Sequence, residues 1–203
     1  MNKKMFIFDL DGVLVDACDW HRDALNNALL KICNYKISLE EHNEIFNGIP
    51  TSKKLTILSK MKKIPTEDHK AINDLKQKFT IEAIEKQAYR REEKIDMIKQ
   101  IKEKGHTVCC YTNSIRKTAN LMLKKTGIYE MFDFVLTNQD VSNPKPDPEG
   151  YIFLMNKFNF SKENTFIIED SPKGILAAKN SGANVIEVKN ADEVSVNIIR
   201  KIL

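Results

Sequence analysis

The sequence predicts an α/β fold: a doubly wound, Rossmann-like parallel sheet with an α-helical cap subdomain inserted into it. Three observations carry that prediction. Short apolar runs rich in β-branched and aromatic residues recur along the chain, helical patterns separate the later runs, and the gap after the first run is far longer than one crossover helix needs.

The runs are Met5–Phe8, Thr107–Tyr111, Phe134–Leu136, Thr165–Ile168 and Val185–Val188. Each is short, continuous and apolar, as strands buried on both faces of a parallel sheet are. Between them, Glu93–Lys104 places Ile95, Ile98 and Ile101 on one face and stops at Gly105. Ile115–Thr126 stops at Gly127, and Gly174–Ser181 at Gly182. The over-long gap, residues 16–88, is helical in pattern: Trp20–Cys33, Leu39–Phe46, Ser52–Lys62 and Glu67–Gln87. It reads as an inserted helical cap hinged near Asp16 and Tyr89, with residues 1–15 and 89–203 forming the α/β core. Trp20 and Phe46 are expected in the cap's own core.

The bulk numbers narrow the class. At 203 residues, 42% hydrophobic and 30% charged, the chain is long enough for a sizeable core and polar enough for solution. No apolar segment reaches the length of a membrane span. Met1-Asn2-Lys3-Lys4 leads straight into the first strand with no cleavage-site pattern, so a cytoplasmic location is expected. The four cysteines, Cys18, Cys33, Cys109 and Cys110, have neither zinc spacing nor the look of a disulfide framework. A net charge of +4 with Lys and Glu interspersed argues against a nucleic-acid partner. The Lys60-Met61-Lys62-Lys63 cluster reads as a solvated helix face. A small anionic substrate suits the mild positive bias. The sequence leaves the oligomeric state open, with a monomer favoured.

The chemistry concentrates at strand ends, where doubly wound sheets bind their ligands. Met5-Phe6-Ile7-Phe8 runs into Asp9-Leu10-Asp11-Gly12. Two carboxylates this close repel unless a cation or shared proton compensates. Mg²⁺ takes oxygen ligands and works with one or two carboxylates plus substrate phosphate. A calcium loop is the competing reading, but an EF-hand needs a preceding helix and a Glu closing the loop. Thr112-Asn113-Ser114 follows the second strand, offering a hydroxyl and backbone amides to a phosphate oxygen, or serving as a helix N-cap. Lys145 stands in the proline-stiffened loop Asn143-Pro144-Lys145-Pro146-Asp147-Pro148, where its ammonium neutralises a phosphate or nearby carboxylates. Phe166-Ile167-Ile168-Glu169-Asp170-Ser171 ends another strand in acids. One of these binds a cation directly and the other works through water or Lys145; a helix-capping role for Asp170 is the alternative.

Asp9-Leu10-Asp11-Gly12-Val13, Thr112-Asn113, Lys145 in Lys145-Pro146-Asp147-Pro148, and Glu169-Asp170-Ser171-Pro172-Lys173-Gly174 together resemble the four signature motifs of the haloacid dehalogenase superfamily. The insert resembles that family's α-type cap, and the nearer likeness is to the phosphoglycolate phosphatase and β-phosphoglucomutase branch. The resemblance implies a Mg²⁺-dependent phosphotransferase with an aspartyl-phosphate intermediate. By it, Asp9 is the nucleophile and Asp11 the acid and base. Leu10, Thr112, Asn113 and Lys145 bind the phosphate. Asp9, the Asp11 backbone carbonyl, Asp170 and the adjoining Glu169 hold the metal. His21, Gly48 and Thr51 are candidate substrate residues of the cap, although His21 also reads as a packed histidine. The mutase branch carries an Arg just after the cap glycine, where Pro50, Thr51 and Ser52 stand here, and a Pro-Gly before the second crossover helix, where Tyr89-Arg90-Arg91-Glu92 stands. The expected function is a phosphatase on a small phosphorylated metabolite, a sugar phosphate by class. The alternatives are a sugar phosphomutase and a non-enzymatic phospho-accepting module.

Overall fold

The structure, a computed structural model, describes residues 3–46, 49–200 and 202. The chain divides into two compact units, Met1–Asp16 with Ala88–Leu203, and Ala17–Gln87.

The first unit is built on a five-stranded sheet of β1 (Met5–Phe8), β2 (Thr107–Tyr111), β3 (Phe134–Leu136), β4 (Thr165–Glu169) and β5 (Asn184–Glu187). Every pairing is parallel and the order is β3-β2-β1-β4-β5. The side chains of β1 and β2 are buried throughout, which is why these segments read as unbroken apolar runs and not as alternating patterns. Met5, Ile7, Cys109, Tyr111, Leu136, Tyr151, Leu154 and Ile167 pack into one core cluster. Burial holds the Cys109 thiol up at about 12, with Asp133 adding to it, consistent with a packing role.

The second unit contains α1 (Cys18–Cys33), the short α2 (Leu39–Glu41), α3 (Thr51–Lys60) and α4 (His69–Gln87). Leu25, Leu29, Ile37, Phe46, Leu55, Leu58 and Ile72 form its own core, and Asn26 ties residue 37 to α1 through both backbone groups, at 3.0 and 3.1 Å. Phe46 is buried there, as expected; Trp20 is only partly buried. The single helix expected over 39–46 is broken. A Ser38–Glu41 capping box starts α2, and the chain then widens into a π-helical turn, His42–Phe46, with His42 and Phe46 buried. Burial, then Lys54 and Arg22, pull the His42 imidazole down to about 4.

The rest of the sheet unit comprises α5 (Glu92–Glu103), α6 (Arg116–Lys125), α7 (Glu149–Phe158), α8 (Pro172–Asn180) and α9 (Val196–Ile199). The predicted glycine stops after α5, α6 and α8 all have positive φ. The sequence pattern did not reveal α7. Its Tyr151-Ile152-Phe153-Leu154-Met155 stretch is apolar on every side, so no helical stripe stands out. Among the described residues, no helix is long and apolar enough to cross a membrane.

Candidate active site

The strand order explains where the acids meet. From β1 the chain runs outward through β2 to β3, then returns to β4 on the other side of β1. That reversal between β1 and β4 opens a crevice at the carboxyl ends of the strands. Phe8 pairs with Ile168, and the Asp9 amide donates to the Ile168 carbonyl at 3.0 Å. One further step along both strands brings Asp9 beside Glu169, 160 positions later in the chain.

Lys145 joins them. Its Nζ donates to Asp9 Oδ1 at 2.6 Å, to Glu169 Oε1 at 2.5 Å and to the Tyr111 carbonyl at 2.8 Å. Only 3% of the lysine is exposed, so this is a positioned group and not a surface-loop side chain. Its loop is held from both ends. The Asn113 amide bonds to both backbone groups of Lys145, at 3.0 and 3.1 Å, and Glu149 at the start of α7 accepts from the Ser142 and Asn143 amides at 2.8 Å. Burial works against the Lys145 charge, but Asp9 and Glu169 outweigh it and hold the ammonium well above the ordinary lysine range.

Glu169 is buried and both its oxygens are used. Oε1 accepts from Lys145 and, at 2.9 Å, from the Tyr151 hydroxyl. Oε2 accepts from the Asp170 and Ser171 amides at 3.1 and 3.3 Å and from the Ser171 hydroxyl at 3.2 Å. Ser171, not Asp170, caps α8, taking the Gly174 amide at 3.1 Å. That leaves Asp170 for other work. Its Oδ1 is buried with no hydrogen-bond partner, and burial, then Glu169, raise its carboxyl to about 7. Gly12, at φ +93°, passes so close that a Cβ there would lie 2.2 Å from Asp170 Oδ2. Asp9 is likewise pushed well above the usual carboxylate range, by burial first and, despite Lys145, by Glu169, Asp170 and Asp11. One ammonium thus faces several carboxylates, and the surplus is negative.

Asp11 is held apart from this cluster. Its Oδ2 accepts from the Thr112 hydroxyl at 3.1 Å and the Ser114 hydroxyl at 2.8 Å. Thr112 does not cap α6, whose first turn follows Ile115; its oxygen instead takes the Ser114 amide at 2.9 Å. Leu10 is buried, and its carbonyl anchors the turn by accepting from the Leu14 and Val15 amides.

Of the candidate residues in the helical unit, His21 is partly buried on α1, with Nδ1 3.1 Å from Lys76 Nζ. Thr51 opens α3 and is partly buried. Gly48 lies outside the described residues, as does Asn47. Tyr151, Ser114 and Ser171 are site residues to which the sequence gives no role. Ser114 stands in a motif already noted, whereas Tyr151 is on the helix that escaped detection.

A family model described as haloacid dehalogenase-like hydrolase matches residues 6–188. The chain belongs to the haloacid dehalogenase-like hydrolases. The chain is similar to the pyrophosphatase PpaX of Bacillus velezensis, at 26% identity over 190 residues, covering 90% of this chain and 81% of that protein. It is similar to the phosphorylated carbohydrates phosphatase of Thermotoga maritima, at 26% identity over 181 residues, covering 87% and 80%. The β-phosphoglucomutase structure from Clostridium difficile shares the fold, with a TM-score of 0.82 at 21% identity over 98% of this chain and 96% of that one. A dehalogenase-like hydrolase fold thus carries the acid-and-lysine cluster described above.

Proposed function

We propose that this hydrolase is a Mg²⁺-dependent phosphatase that cleaves a small phosphorylated metabolite, a sugar phosphate by class, through an aspartyl-phosphate on Asp9. One observation carries the reading: Asp9, at the switch point of the sheet, has its carboxylate fixed by Lys145 at 2.6 Å and shares a cluster with Asp170. The phosphatase names of two relatives support the reaction class.

The donor set suits a divalent cation. Asp9, Glu169 and Asp170 each offer a carboxylate oxygen, and these lie within 4.8 Å of one another. The orphaned Asp170 Oδ1 and the local excess of negative charge both call for a positive partner. Asp9 and Asp170 would hold it with the Asp11 backbone carbonyl, while Glu169 adjoins as the counter-charge of Lys145. When bound, Mg²⁺ screens the repulsion between the anionic nucleophile and the anionic phosphate.

The chain's own residues then divide the work. An Asp9 oxygen attacks phosphorus, and the bond to the leaving oxygen breaks. Asp11 gives its proton to that oxygen, then takes one from the water that hydrolyses the acyl-phosphate and regenerates Asp9. The two hydroxyls on Asp11 Oδ2 hold that carboxyl in place for both transfers. Thr112 and the Leu10 and Asn113 amides receive the equatorial oxygens, and Lys145 offsets their charge. His21, Thr51 and Gly48 belong to the unit that selects the leaving group; the His21–Lys76 contact favours packing for the histidine.

The deciding experiment is phosphate release from sugar phosphates, nucleotides, phosphoglycolate and pyrophosphate with Mg²⁺. A sugar phosphate is expected to be the best substrate, and EDTA to abolish release. Isomer exchange without net phosphate release would make the enzyme a mutase, and a long-lived phosphoprotein without turnover would make it a regulatory module.

Gly12→Ala tests the metal site separately. The new methyl forces the Asp170 carboxyl away, and an L-residue in left-handed backbone costs roughly 1–2 kcal/mol. The expected result is a modest fall in Tm with a clear rise in the Mg²⁺ concentration needed for half-maximal activity. An unchanged Mg²⁺ titration would remove Asp170 from the metal site.

A further inference from the structure

We propose that Tyr151 is a positioning residue of this site: its hydroxyl and ring hold the Lys145 ammonium on the Asp9–Glu169 pair. The inference rests on the phosphatase reading above and adds a residue to it.

A lysine is a poor choice for fixed geometry. Its charge sits on a flexible four-carbon stem and has no preferred plane. Here the three ammonium protons are fully directed, to Asp9 Oδ1, Glu169 Oε1 and the Tyr111 carbonyl. Of these acceptors the Tyr111 carbonyl is fixed by its strand, whereas a glutamate side chain must itself be held. Backbone and Ser171 donors hold Glu169 Oε2, but Oε1, the oxygen that takes the lysine, is held by Tyr151 at 2.9 Å. Removing that hydroxyl leaves Oε1 tied only to the lysine it is meant to position.

The rings complete the enclosure. Lys145 Nζ lies 4.7 Å from the Tyr111 ring centroid and 5.3 Å from that of Tyr151, both within cation–π range. The two rings meet edge to face at 4.9 Å and 84°. The approach of α7 is built for this arrangement. Gly150 precedes Tyr151, and a Cβ there would lie 2.3 Å from the Tyr111 ring. The loop carrying Lys145 runs directly into α7, so lysine and tyrosine arrive on one short, doubly anchored segment.

Displacing the ammonium by even a fraction of an ångström turns the Asp9 carboxylate away from its line of attack, and rate is steeply sensitive to such misalignment. The cost therefore belongs to kcat.

Tyr151→Phe keeps the ring and its packing while removing the hydroxyl. The expected result is a fall in kcat of about tenfold with KM within about twofold, the size of one hydrogen bond to a charged group. The second readout is the Lys145 ammonium signal in protein labelled with ¹⁵N-lysine, identified by its loss in Lys145→Met. It is expected to shift or broaden in Tyr151→Phe while Tm stays within a few degrees. An unaltered kcat, or a slower kcat with an undisturbed ammonium signal, would overturn the proposal. The ammonium signal needs no substrate. If the unmodified protein releases phosphate from nothing in the panel, the phosphatase reading fails while the hold of Tyr151 on Lys145 is still measured.

Discussion

Asp9→Asn is expected to remove turnover, by on the order of 10⁵-fold or more, while leaving the protein folded. Asparagine has the shape of aspartate but cannot attack phosphorus as an anion or form an acyl-phosphate. Stability should hold or rise slightly, because the substitution removes one carboxylate from a cluster with a negative surplus and Lys145 keeps Glu169 as its partner. The check is phosphate release alongside acid-quench trapping of the phosphoenzyme and a melting curve. Near-normal release from Asp9→Asn would end the nucleophile assignment, whatever the fate of the other residues.

Lys145→Met is expected to produce the largest loss of stability of any single change in the site. The ammonium is the positive member of a buried trio, and taking it away leaves Asp9 and Glu169 side by side without compensation. Breaking a buried pair from one side costs about 3–5 kcal/mol. For a chain of this length that lowers Tm by roughly 10 °C. The deficit should depend on pH. Burial already raises the Asp9 carboxyl in the folded protein, and losing Lys145 raises it further. Between the ordinary carboxylate value and the raised one, the folded state binds a proton that the unfolded state has released. Stability falls with rising pH in both proteins through that window, and the gap between them widens once pH passes the Asp9 value of the unmodified protein, where only the variant still holds the proton. A pH-independent gap, or none, would show that Lys145 does not neutralise these acids.

Much of this was legible in the sequence, for identifiable reasons. The sheet was readable because strands buried on both faces cannot alternate with polar residues, so Met5–Phe8 and Thr107–Tyr111 stand out at their observed bounds. The acids were readable because carboxylates seldom follow apolar runs without a purpose. The strand order was not, since nothing local records that β1 lies beside β4. Nor was the division of labour between Glu169 and Asp170. It depends on which carboxylate Lys145, Tyr151 and Ser171 satisfy, and those partners come from a distant loop, an unmarked helix and a helix cap. Tyr151 was hidden because α7 exposes apolar residues, Ile152 and Phe153, beside its buried Tyr151, Leu154 and Met155, which blurs the helical period.

The bond between Lys145 and Asp9 spans 136 positions along the chain. A ribosome that has not yet reached Lys145 has made Asp9, both hydroxyls beside Asp11 and the whole helical insert, yet not the ammonium that Asp9 binds. The acid-and-lysine cluster thus closes only with the return stroke of the chain, and any turnover regained after dilution from denaturant would time the closing of long loops rather than the appearance of helix.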